Sequence, residues 1–137
     1  MIFANLMVTN VVTSAQFYMD VLGVELSFFV DADHQTQMDA AGKDIILASL
    51  TLSGAQLMLQ RSDSLSEELP SFAGHSPNFT GTIYFRDLSV DAIRAQLSDS
   101  QIIKEPFTQW YGMRELYFKD PDGYVICVGE MDGPSPA

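Results

Sequence analysis

The sequence predicts an α+β protein made of two successive units with the same element order, β-α-β-β-β. Three observations predict it. Short apolar runs with alternating side chains recur along the chain. One stretch of helical spacing follows the first such run of each half. Tight-turn glycines, Gly54 and Gly123, open the last run of each half.

The elements follow in order. Ile2 to Val8 reads as a strand, and Asn10 to Ser14 as a turn and helix start with Thr13 or Ser14 as N-cap. Phe17, Tyr18, Val21 and Leu22 make one face of the helix, and Gly23 is placed to stop it. Strands are predicted at Val24 to Val30, Ile45 to Thr51 and Ala55 to Gln60, with a polar connector from Asp31 to Lys43 and a Ser53-Gly54 turn. Residues 1–60 thus form the first unit.

Residues 61–79 are rich in Ser, Glu, Pro and Gly and read as a linker, with one helical turn at Ser64 to Leu69. The second unit, 80–131, begins with a strand at Thr80 to Phe85. Ser89 then caps a helix that puts Val90, Ile93 and Leu97 on one face. Strands follow at Ile102 to Phe107, Met113 to Lys119 and Tyr124 to Val128. The last two flank Asp120-Pro121-Asp122-Gly123, where Pro fixes φ and Gly supplies a positive one. Residues 132–137 are expected to be a flexible tail.

Bulk properties narrow the function. A chain of 137 residues, 47% hydrophobic and 18% charged, matches one ordinary soluble globular domain. Eighteen acidic against seven basic residues give a net charge of −11. That balance argues against nucleic acid and anionic membranes, which need clustered Lys and Arg. It admits steering of a cationic ligand, or solubility alone. The single cysteine, Cys127, excludes an internal disulfide and fits a reducing, cytoplasmic setting. Met1 to Met7 has no basic flank of the kind a signal segment needs.

Several motifs together resemble one family. Phe17-Tyr18-Met19-Asp20-Val21-Leu22-Gly23 is similar to the FY-x-x-x-LG helix end of the vicinal oxygen chelate superfamily, which includes glyoxalase I, extradiol dioxygenases and bleomycin-resistance proteins. Trp110-Tyr111-Gly112-Met113-Arg114-Glu115, followed by Asp120-Pro121-Asp122-Gly123, resembles the W-G-x-R…D-P-x-G signature of its bleomycin-resistance-like branch. The resemblance covers essentially the whole chain. It implies a curled, incompletely closed mixed sheet around a cup with helices outside, and a homodimer with ligand grooves between chains.

Metal enzymes of that family hold a divalent ion on His and Glu from four inner strand faces. The positions carried over from the resemblance fall on Phe3 (or Asn5 with a two-residue slip), Met58, Thr82 and Cys127. Phe cannot bind an ion, Met and Thr are poor ligands for it, and one Cys does not make a site. His34 and His75 lie in connectors. No metal, no cofactor and no catalytic residue is therefore expected. No nucleophile elbow or phosphate loop replaces the metal.

What remains is a cup with Met58, Thr82, Tyr84 and Cys127 as lining, Gln60 at one end, and Trp110 and Tyr111 at a corner. Aromatic faces with a few polar groups suit a flat or cationic organic ligand. Packing in a core or a subunit interface is the alternative for the Trp-Tyr pair. Arg114 either binds an anionic ligand group or pairs with a carboxylate, and mid-strand Cys127 reads as an inert small hydrophobe. The expected function is metal-free binding of a small molecule, cationic or aromatic. The alternatives are a metal-dependent enzyme of the glyoxalase or dioxygenase kind with atypical ligands, and a self-filled assembly domain.

Overall fold

A computed structural model describes residues 1–132. The expected tail therefore lies, from residue 133 onward, outside the described residues. The chain divides into two compact units, Met1–Asn78 and Phe79–Ala137.

The first unit contains β1 (Phe3–Val8), α1 (Val11–Leu22), β2 (Glu25–Asp31), β3 (Thr36–Gln37), β4 (Ile45–Leu52), β5 (Ala55–Arg61) and α2 (Ser62–Glu68). Its sheet runs β1-β5-β4-β2-β3. β1 is parallel to β5 and the other pairs are antiparallel. The two-residue β3, hydrogen-bonded to the end of β2, lies in the stretch expected to be a connector.

Helix α1 begins earlier than Thr13 or Ser14. Asn10 is the N-cap, extended at φ −137° and ψ 110°, and its side chain accepts from the Thr13 N–H at 3.0 Å. Ser14 cannot cap because it is already inside the helix and buried. The buried stripe is Val11, Ala15, Tyr18 and Leu22, so Phe17 and Val21 flank the face and Tyr18 centres it. Gly23 ends the helix at φ 70°, as its position predicts. Against this stripe lie Leu57 and Leu59 of β5 and Ala48 and Leu50 of β4. Burying a leucine side chain of this kind contributes about 1.5–3 kcal/mol. Ser53 and Gly54, both with positive φ, form the two-residue loop between paired Leu52 and Ala55.

The stretch read as a linker is partly ordered. α2 starts directly after β5, and its Ser62 hydroxyl donates to the Val8 carbonyl at 3.0 Å. Leu65 anchors it, 6% exposed, and a 3-10 turn follows at Pro70–Phe72.

The second unit contains β6 (Thr82–Arg86), α3 (Val90–Ala95), β7 (Ile102–Thr108), β8 (Met113–Lys119) and β9 (Val125–Met131), in the order β6-β9-β8-β7. As in the first unit, the opening strand is parallel to the last one. Without β3, both sheets follow the same first-fourth-third-second order, so the β-α-β-β-β duplication is present in connectivity. Neither sheet closes on itself.

Val90 and Ile93 of α3 bury one face of the second sheet, built from Leu116, Phe118, Ile126 and Val128. Between β8 and β9, the buried Asp120 carboxylate accepts from the N–H groups of Asp122 and Tyr124, each at 2.9 Å. Gly123 closes that turn at φ 89°, its N–H donating to the Asp120 carbonyl.

Candidate functional site

The second sheet's free face is built by register. Tyr84, Cys127 and Tyr117 stand opposite one another across β6, β9 and β8. The next row is Arg86, Gly129 and Glu115, with Phe107 of β7 opposite Glu115. Side chains in these rows point away from α3, because neighbouring strand positions alternate.

Glu115 is the centre of this face. It is fully buried, and four side chains donate to its carboxylate. Tyr84 donates at 2.6 Å, Tyr111 at 2.8 Å to each oxygen, Gln109 at 3.1 Å and Tyr117 at 3.4 Å. Two of these donors come from the β7–β8 loop. There the Gly112 N–H donates to the Gln109 carbonyl, and Gly112 has φ 89°, so the turn folds Tyr111 back onto the sheet. Tyr84 reaches Glu115 by crossing Gly129, where a Cβ would overlap its hydroxyl.

The electrostatics follow from burial and donors. Burial pushes the Glu115 carboxyl up, but hydrogen bonds from Tyr84, Tyr111, Gln109 and Tyr117 outweigh it and hold it below the ordinary range. Burial, then the bond to Glu115, pushes Tyr84 well above an ordinary phenol and Tyr111 up to about 12. Burial also raises Tyr117. The phenols therefore stay protonated as donors while the carboxylate stays charged. Burial pushes Cys127 up to about 11, against the pull of its hydrogen bond with Tyr117, so its thiol is neutral at neutral pH.

Trp110 stands beside this cluster, 89% exposed, with its ring edge-on to Tyr111 at 5.2 Å and 87°. The Arg86 guanidinium lies 6.0 Å from the Tyr84 ring centroid and donates to the Met113 sulfur at 3.2 Å.

Of the residues singled out from sequence, Tyr84, Tyr111 and Cys127 come together around Glu115 and Tyr117, with Trp110 adjoining. Thr82 lies on the same face, opposite Val125 and exposed. Arg114 points to the other face, where it pairs with Asp91 of α3 at 2.7 Å. Met58 and Gln60 lie on β5 of the first unit. Gln60 is buried and accepts from Asn5 at 2.9 Å. Sequence reasoning missed Glu115, Gln109, Tyr117, Gly129 and Arg86. One signal was available: Glu115 shares strand parity with Met113 and Tyr117, between Arg114 and the apolar Leu116.

The donor set at the positions inherited from metal enzymes does not fit a divalent ion. Phe3 has no donor, the Asn5 amide is engaged by Gln60, Met58 and Thr82 are weak ligands, and the Cys127 thiol is held protonated. Among the described residues, no three His, Cys, Asp or Glu side chains group as a metal site.

A model of the Glyoxalase/Bleomycin resistance protein/Dioxygenase superfamily matches residues 2–128, and the chain belongs to that superfamily. Among solved structures, it is similar to a glyoxalase/bleomycin resistance protein/dioxygenase family enzyme from Burkholderia phytofirmans PsJN. That match has 15% identity and a TM-score of 0.68, covering 94% of this chain and 96% of the other. A protein of unknown function from Agrobacterium tumefaciens str. C58 matches at 24% identity and TM-score 0.68, covering 95% and 94%. A lactoylglutathione lyase from Agrobacterium tumefaciens matches at 18% identity and TM-score 0.63, covering 95% and 92%. At these identities the likeness concerns the fold alone. No curated protein matches the sequence.

Proposed function

We propose that this protein holds a flat aromatic small molecule, favouring cationic ones, without a metal and without breaking a bond. The observation that carries this reading is the Trp110–Tyr111 corner. An indole left 89% exposed stands edge-on to a tyrosine that is itself fixed on a buried carboxylate. Exposing an indole is unfavourable unless something covers it, and a fixed aromatic surface loses little conformational freedom when a ligand stacks on it. Charge supports a cationic preference: the chain carries −11, and a cation stacked on an indole gains from the ring quadrupole. Arg86 already lies over the Tyr84 ring, so Trp110 is the aromatic face left open to a ligand.

Trp110 is also the sole tryptophan, which makes the site self-reporting. Titrating chelator-treated protein with planar aromatic cations such as proflavine and ethidium should quench its emission saturably. Affinity should fall as salt rises. Trp110→Ala should weaken binding, followed by calorimetry, about tenfold while the protein stays folded. Unsaturable quenching, or a Trp110→Ala variant that mainly unfolds, would show that the indole serves packing.

A further inference from the structure

The first unit contains a cavity of about 550 Å³ that the Trp110 corner does not involve. Val30, Ile46 and Leu47 form its apolar wall, and Gln60, Ser64, Glu67, Glu68 and His34 its polar one. Val30 and Leu47 are register partners on β2 and β4. The carboxylates come from the last turn of α2. We propose that this cavity binds an amphiphilic organic ammonium, with its charged head at Glu67 and Glu68 and its apolar body along Val30, Ile46 and Leu47.

The acidic wall is held in place. α2 follows β5 without a loop, its Ser62 hydroxyl is bonded to β1, and its Leu65 is buried. Asn5 fixes the Gln60 amide by donating to Oε1, so Gln60 Nε2 donates to Ser64 at 3.0 Å and to Glu68 Oε2 at 3.1 Å. Both Gln60 protons are thereby used, which leaves Glu68 Oε1 and the Glu67 carboxylate as acceptors for an incoming N–H.

Charge complementarity selects the occupant. Among the described residues, neither Glu67 nor Glu68 forms an ion pair. The nearest basic residue in sequence, Arg61, is committed to Asp44 at 2.5 Å and Asp63 at 2.7 Å. Two uncompensated carboxylates on one wall of a half-apolar cavity attract a cation and repel an anion. The apolar wall favours an alkyl or aryl body over an inorganic ion, and the volume is that of a small-molecule site.

The test follows amide resonances while the folded protein is titrated with hexylammonium, hexan-1-ol and hexanoate. Hexylammonium should move the signals of Leu47, Gln60, Ser64 and Glu67 saturably. The neutral and anionic analogues should bind at least about tenfold more weakly. A Glu67→Gln, Glu68→Gln double variant should lose about tenfold in hexylammonium affinity. Glu67→Gln alone, which disturbs no bond to Gln60, should lose part of it. Equal binding of hexan-1-ol, unchanged affinity in a folded Glu67→Gln variant, or shifts confined to other residues would overturn the proposal.

Discussion

Tyr84 donates its hydroxyl to the Glu115 carboxylate across 2.6 Å, passing over the one position in β9 that has no side chain. This bond ties β6 to β8 across β9. Three further donors converge on the same carboxylate, so one charge organises the free face of the second sheet.

Glu115 should therefore be among the most sensitive residues in the chain. Glu115→Leu leaves three phenols and an amide without this acceptor and should cost about 3–5 kcal/mol in urea unfolding. Glu115→Gln, which retains an acceptor oxygen, should cost about 1–3 kcal/mol. A loss below 1 kcal/mol for the leucine variant would mean that the cluster contributes little to stability.

The same group sets a pH dependence. Its folded-state carboxyl lies below the ordinary value of 4.5. A depressed value gives stability that is complete above the unfolded value and lost as pH falls through the folded one. The stability gap between wild type and Glu115→Gln should hold at neutral pH and narrow below about pH 4.5. Urea midpoints between neutral pH and pH 3 measure it; a gap that widens on acidification contradicts this sign.

Gly129 should resist even the smallest side chain. Its replacement in Gly129→Ala would overlap the Tyr84 hydroxyl and approach Met113. Destabilisation of about 1–3 kcal/mol is expected. Tyr84 should then ionise closer to an ordinary phenol in an ultraviolet alkaline titration. An unchanged titration would place Tyr84 elsewhere.

Arg114 should matter little to ligand binding. It pairs with Asp91 on the helix-bearing face, and the partner carboxylate is 73% exposed. Such pairs contribute at most about 1 kcal/mol, so Arg114→Ala should melt close to wild type and bind planar aromatics as well as wild type. A large affinity loss would mean that Arg114 reaches the ligand.

Much of the fold was legible because its signals are local. Gly23 and Gly123 take positive φ as their positions suggest, Ser89 caps α3, and Val90, Ile93 and Leu97 are buried together as their spacing predicts. The α1 start was misplaced because Asn10, Thr13 and Ser14 can all cap; Val11 is buried in the core as the first residue of the helix, which leaves Asn10 as the cap, and burial is not local information. The candidate site was legible only in part. Tyr84, Tyr111 and Cys127, which lie on one face with Glu115, were named from the sequence, Cys127 through the resemblance. Glu115 was not, since a carboxylate in a strand reads as solvent-facing until three tyrosines from different elements converge on it. Gly129 carries no signal of its own, because its role lies in a side chain arriving from β6.

The most direct test of metal-free binding is thermal melting of chelator-treated protein with Ni, Mn, Fe(II), Co or Zn, and separately with planar aromatic cations. A ligand at about a hundred times its dissociation constant adds about 2.7 kcal/mol to the folded state, a readily measured rise in midpoint. The predicted result is a rise with aromatic cations that Trp110→Ala removes, and none with any metal. A large rise with one divalent ion, and none with the aromatics, would contradict it.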